Sequence, residues 1–217
     1  MIRFIYFLIV LLCFSCNNER VLQLPEIENA QVTEVLDVSP AYIFYDETQP
    51  DSTLLNRKNL IITTNWLVNV DKRLTLRQAI PRIKFLQDKK RNAEMHKNEN
   101  AKNYFSCNDT SIQNLGFIEF TDTYYNYKNQ EVPNDETSIV MMVENLSNIT
   151  FSTSFDLNIV LSKENISHVL EIIRKNYKND TTLTLSINEN LTFQEYITLK
   201  NTLAPFHDRI SNNEFIY

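Results

Sequence analysis

Most of the reactive chemistry available to this chain sits on three cysteines and three histidines. Cys13 and Cys16 form a Cys-x-x-Cys pair, the spacing of a redox dithiol or of half a zinc site. Either role needs a folded strand–helix unit around the pair. Here it closes an oily N-terminal run with no fold before it. His207 and Asp208 are adjacent, and a histidine base beside an orienting acid is part of a hydrolytic triad. Cys107 could supply a nucleophile only with an activating base and an electropositive setting. Asp109, two residues on, raises a thiol pKa instead, so a packed or idle cysteine is expected. His96 lies near Glu94 and Glu99, but the spacing fits no zinc motif and the stretch reads as solvated charge. His168 falls on the polar side of a helix.

The setting of Cys16 says more than its spacing. Arg3 gives a short basic start, residues 4–12 are apolar, and Ser15 stands just before Cys16. Nine apolar residues fall well short of the ~20 that a membrane-spanning helix needs, and they fit the core of an export signal. The stretch resembles the lipobox of bacterial lipoproteins of the Bacteroidetes type, with Cys13 and Phe14 departing from the usual Leu and small residue. The resemblance implies that residues 1–15 leave as a signal peptide and that Cys16 carries the lipid. It also implies a cell-envelope location, at the outer membrane, with the membrane as one partner. Cys107 then remains as the one thiol, and no disulfide can form within the chain.

Composition removes further classes. The net charge of −6 becomes more negative when Arg3 is lost, which excludes a nucleic-acid footprint and polybasic attachment to lipid. A single glycine, Gly116, cannot build a phosphate loop, a dinucleotide fingerprint or a nucleophile elbow. No catalytic, cofactor or metal site is expected, and nucleotide binding is excluded. The triplets beginning at Asp51 and Asp180 resemble the O-glycosylation motif of exported Bacteroidetes proteins and fall in expected loops.

The hydrophobic pattern predicts an α/β (α+β) protein of two small strand–helix modules. After the anchor and tether at 16–38, the first module covers 39–122, a connection covers 123–137, and the second module covers 138–217. In the first, residues 42–45 and a long β-branched stretch from Leu60 to Val70 read as strands. A helix follows, capped by Thr75 with Gln78 as its return partner. Pro81 should kink or shorten it, and residues 88–103 read as a solvated extension or loop. A strand is expected around 116–120. The second module alternates through Phe151, Phe155, Leu157 and Ile159. A helix with a stripe of Ile166, Val169, Leu170, Ile173 and Tyr177 comes next. Then come a strand bearing Leu183, Leu185 and Ile187, a helix capped by Thr192 with Glu195, and a last strand. Tyr124, Tyr125 and Tyr127 fall in the connection, either as a binding surface or as cover for the junction between modules.

Residues 66–86 align with residues 183–203 without gaps. Leu74/Leu191, Thr75/Thr192, Ile80/Ile197 and Leu86/Leu203 are identical pairs. Both stretches alternate, turn at Asp71 or Asn188, and enter a helix through Leu-Thr, as a tandem repeat would. Residues 155–217 also resemble the soluble domain of the ExbD/TolR biopolymer-transport family, best at 183–203 and 209–217. That resemblance implies a sandwich with the order strand, helix, strand, helix, strand. The family's acidic transmembrane helix has no counterpart here, since residues 4–12 contain no acid. The function expected is non-enzymatic: a lipid-anchored envelope protein that binds or assembles with an envelope protein partner. Two alternatives are an accessory subunit of an energised transport complex and an envelope hydrolase using His207 and Asp208.

Overall fold

A computed structural model describes residues 21–95, 97–127, 138–153, 159–176 and 181–217. Cys13, Cys16, His96, Phe155, Leu157, Tyr177 and Asp180 lie outside these residues. The fold is mixed α/β with two mixed sheets, as the sequence pattern predicts.

The first sheet contains β1 (Glu26–Ile27), β2 (Val38–Tyr45), β3 (Thr53–Asn56), β4 (Asn65–Val70), β5 (Asn103–Asp109) and β6 (Asn114–Glu119). Its order is β3-β2-β4-β5-β6, and β1 extends the β4 side of β5. Strands β2, β4 and β5 run parallel, while β3 and β6 return antiparallel as hairpin partners. The second sheet contains β7 (Tyr124–Tyr127), β8 (Ser138–Asn145), β9 (Asn148–Thr153), β10 (Ile159–Leu161), β11 (Thr182–Ile187) and β12 (Ile210–Ile216). Its order is β10-β9-β8-β11-β12-β7. Strands β8, β11 and β12 are parallel, and β9 is a hairpin partner of β8. Helices α1 (Leu76–Arg91), α2 (Lys163–Asn176) and α3 (Phe193–Leu203) cross between parallel strands, and α3 runs on into a 3-10 turn, Ala204–Arg209. In chain order β10, α2, β11, α3 and β12 follow one another.

Four strands of each sheet correspond, β3-β2-β4-β5 in one and β9-β8-β11-β12 in the other, with α1 and α3 in equivalent crossovers. They also meet at equivalent residues. Thr75 and Thr192 form an antiparallel bridge at the two helix mouths. Around it, Leu76 N donates to Leu191 O (2.8 Å) and Phe193 N to Leu74 O (2.6 Å). Arg77 N donates to Glu189 O (2.8 Å) and Gln194 N to Lys72 O (3.2 Å). Each bond becomes its partner when the halves are exchanged at a constant shift of 117, from Thr75 to Thr192. This pattern is a local two-fold symmetry. The caps explain it. Gln78 Oε1 accepts from Thr75 N, and Glu195 Oε2 from Thr192 N, leaving the neighbouring amides free to bond across.

One apolar cluster runs through both halves. Ala41, Ile43, Trp66, Val68 and Val70 face Leu76, Ala79, Ile80 and Ile83 of α1, following strand and helix periods. Phe105 stacks on Phe120 at 3.8 Å and meets the edges of Phe193 and Tyr196, so α3 packs on the core of the first half.

Several elements differ from the sequence expectation. From Val21 on, the expected tether is part of the fold. Gln23 O accepts from Lys72 N, Pro25 O from Asn108 N, and Gln194 makes a two-way amide pair with the backbone of Glu26. Gly116 explains why this segment can lie so close, since a Cβ there would stand 2.5 Å from the Ala30 Cβ. The expected strand from Leu60 starts only at Asn65, because Trp66 Nε1 holds the Ile61 carbonyl in a turn. Helix α1 continues across Pro81 to Arg91. Lys90, expected in solvated charge, is buried. The connection at 123–137 begins with strand β7, paired with β12. In the Asp51 triplet, Thr53 is buried on β3 and its hydroxyl accepts from Arg82.

Candidate binding cleft

A cleft of about 380 Å³ opens where the halves meet. One wall is the end of β6 with the turn at 120–123. The opposite wall is the end of α3, the 3-10 turn and the start of β12, and residues 30–32 close one side. The turn is fixed from behind. Gln87 Nε2 donates to Phe120 O and Thr123 O at 3.0 Å each. The Arg91 guanidinium donates to Thr121 O and Thr123 O, and it lies 4.1 Å from the Tyr124 ring centroid. Three carbonyls of a surface turn are thereby bound to side chains of α1, which sets the cleft wall before any ligand arrives.

At the opposite wall, Lys200 Nζ donates to Glu214 Oε1 at 2.6 Å. Glu214 is 1% exposed and Lys200 15%, so the carboxylate is in the core, while Lys200 lines the cleft. The Tyr196 hydroxyl donates to Glu214 Oε2 at 2.8 Å and lies 3.2 Å from the Tyr125 hydroxyl. With the Tyr196 proton on Glu214, Tyr125 must be the donor to Tyr196. Burial first, then the Glu214 charge, pushes both phenols well above their ordinary range. A connected chain of four polar side chains thus runs from the core to the cleft.

The sequence-predicted residues are distributed unevenly around this site. His207 lines the cleft, its Nδ1 3.2 Å from Ala204 O. Asp208 is exposed and outside the lining, and Cys107 is buried on β5. The Cys107 thiol is pushed up to about 12 by burial and then by Asp109, which keeps it protonated. The cleft therefore does not join His207, Asp208 and Cys107. Of the three tyrosines singled out, Tyr124 is exposed on the β7 edge, while Tyr125 is buried in the polar chain and Tyr127 is half-buried. Tyr125 is corrected from surface candidate to core residue: alternation along β7 turns it inward while its neighbours face out. Among the described residues, no three metal-ligating side chains converge.

Lys200, Glu214 and Tyr196 went unnoticed in sequence. A lysine and a tyrosine four apart on a helix are ordinary, and Glu214 pairs with them only through the fold. The repeat alignment carried the one usable signal, since it sets Tyr196 against Ala79. No family model matches the chain, and no curated protein and no solved structure is found similar to it.

Proposed function

We propose that the protein is a lipid-anchored envelope protein, attached through Cys16, that acts by binding a partner in the cleft between its halves. The observation that carries the binding reading is the cleft's construction. Its wall at 120–123 is held by Gln87 and Arg91, and its opposite wall presents Lys200 on a buried carboxylate. Fixed walls with a few placed polar groups are what a recognition site needs. The anchor rests on the lipobox resemblance at Ser15–Cys16, and the two halves are read as a tandem repeat on their shared cap-to-cap bonding.

Two measurements test this. Labelling cells with a fatty-acid analogue should mark the wild type and not Cys16→Ala; equal labelling of both would remove the anchor. A photo-crosslinker placed at Asn212, on the cleft rim, should capture an envelope protein in living cells. The same probe at Ile112, exposed and outside the lining, should not. Equal capture from both positions, or none from Asn212, would reject the cleft as the site.

A further inference from the structure

The symmetry of the fold supplies an internal control for the buried ion pair between Lys200 and Glu214. Carried across from Thr192 to Thr75, Tyr196 falls on Ala79 and Lys200 on Ile83. The strand register does the same for the acid: Val68 pairs with Phe105, and its counterpart Leu185 pairs with Glu214. The first half therefore fills with Ala79, Ile83 and Phe105, all fully buried, the place where the second half puts a tyrosine, a lysine and a glutamate. The frame is satisfied by an apolar core at this position. Burying a Glu–Lys pair there gains no stability over apolar residues of similar size, since desolvation offsets the attraction. The polar set answers to something in the cleft.

What it answers to follows from the unfilled groups. An ammonium has three N–H donors, and among the described residues Lys200 uses one. Across the cleft, Phe117 N donates outward to Val32 O and Phe120 N inward to Asn103 O. By alternation, both the N–H and the C=O of Glu119 point to the free edge of β6, beyond the contact with Val32. Neither has a backbone partner among the described residues. Charge then narrows the class. Lys200 is neutralised by Glu214 and Lys102 by Glu119, which leaves the exposed acid Asp122, without an ion pair among the described residues. A free anion is disfavoured; a neutral group carrying both donors and acceptors fits.

We propose that the cleft takes an extended peptide segment, which pairs its main chain with Glu119 and gives a carbonyl oxygen to Lys200. Glu214 and Tyr196 are positioning residues: they hold the ammonium at the wall without touching the peptide. A basic side chain on the peptide meets Asp122. The inference rests on the cleft being the binding site and adds the class of ligand.

The test pans a library of random decapeptides, acetylated and amidated to remove terminal charge, against the full chain. Enriched peptides should lose at least tenfold in affinity when a central amide is N-methylated. They should lose as much against the Lys200→Met/Glu214→Met protein, whose fold is checked by circular dichroism and urea midpoint. The double variant is chosen because Lys200→Met alone strands a buried carboxylate. No enrichment, or binding indifferent to both changes, overturns the proposal. So does displacement of the peptides by neutral chitotriose, which would assign the cleft to saccharide. If Asn212 still cross-links a partner while no peptide binds, the cleft stands and the peptide class falls.

Discussion

Removing the Lys200 ammonium should cost more than removing the whole ion pair. In Lys200→Met, Glu214 stays in the core at 1% exposure with Oε1 unpartnered and only the Tyr196 hydroxyl on Oε2. Stranding one member of a buried pair costs about 3–5 kcal/mol. In Lys200→Met/Glu214→Met both charges are gone and two unbranched side chains fill similar space. Tyr196 loses its acceptor but keeps the Tyr125 hydroxyl at 3.2 Å, a loss of about 1 kcal/mol. Against this stands the recovered desolvation, about 1–4 kcal/mol. The double variant should lie between wild-type stability and about 3 kcal/mol above it. The assay is urea unfolding followed by the fluorescence of Trp66, the only tryptophan and fully buried, with the slope m unchanged. The double-mutant coupling should exceed about 2 kcal/mol. If the double variant is as unstable as Lys200→Met, the pair is holding the fold together, and the contrast with Ile83 and Phe105 loses its meaning.

Cys107 should resist thiol reagents in the native protein and react fully in urea; reaction on the native timescale would contradict its burial and its pKa of about 12. Stability should pass through a maximum in mild alkali. Burial pushes Lys90 down to about 8, from 10.5 when unfolded, so the folded state sheds this proton first and stability climbs between those values. Burial pushes Tyr127 and Tyr217 up to about 12 and lifts Tyr125 and Tyr196 well above the ordinary phenol range, so unfolded tyrosines ionise from 10 while folded ones do not, and stability falls. Urea midpoints against pH should show both limbs. Lys90→Met should lack the rising one, and an unchanged profile would refute the assignment. Gly116→Ala should cost about 1–3 kcal/mol by pushing residues 27–30 off β6, and should weaken any cleft ligand along with it. A midpoint within error of wild type would show that the N-terminal segment yields freely.

What was legible in the sequence was periodic or capped. Trp66, Val68 and Val70 alternate because β4 has one buried face, and both capping boxes follow from Thr with Gln or Glu three residues on. β5 was not legible. All but one of its residues are buried, so no polar face alternates, and Cys107 drew attention as chemistry instead of as a strand. β7 was hidden because its tyrosines are amphipathic and suit a connection as well as an edge. Lys90 looked solvated among charges. In the fold its ammonium donates to Thr64 O, Lys102 O and Asn103 Oδ1 and lies 5.0 Å from the Trp66 ring centroid. Nothing local to Lys90 encodes those three acceptors, which come from two different loops and a strand.

The same limit governs the cleft, and it shows why symmetry is the better guide to function here than motif. Spacing singles out Cys13 and His96, which lie outside the described residues, and the pair His207–Asp208, of which only His207 lines the cleft. Lys200 and Glu214 have no mutual signature, because the fold brings them together across a crossover from α3 to β12. What marks them is that the same frame, met once already in α1 and β5, is complete without charge. On the proposed binding reading, a second half that carries a costlier solution at one position, where that position opens to a cleft, is under a demand the first half does not feel. The demand is local: the neighbouring equivalents Ile80 and Ile197, and Leu86 and Leu203, remain apolar in both halves. Tyr196, Lys200 and Glu214, by contrast, stand where the first half has Ala79, Ile83 and Phe105.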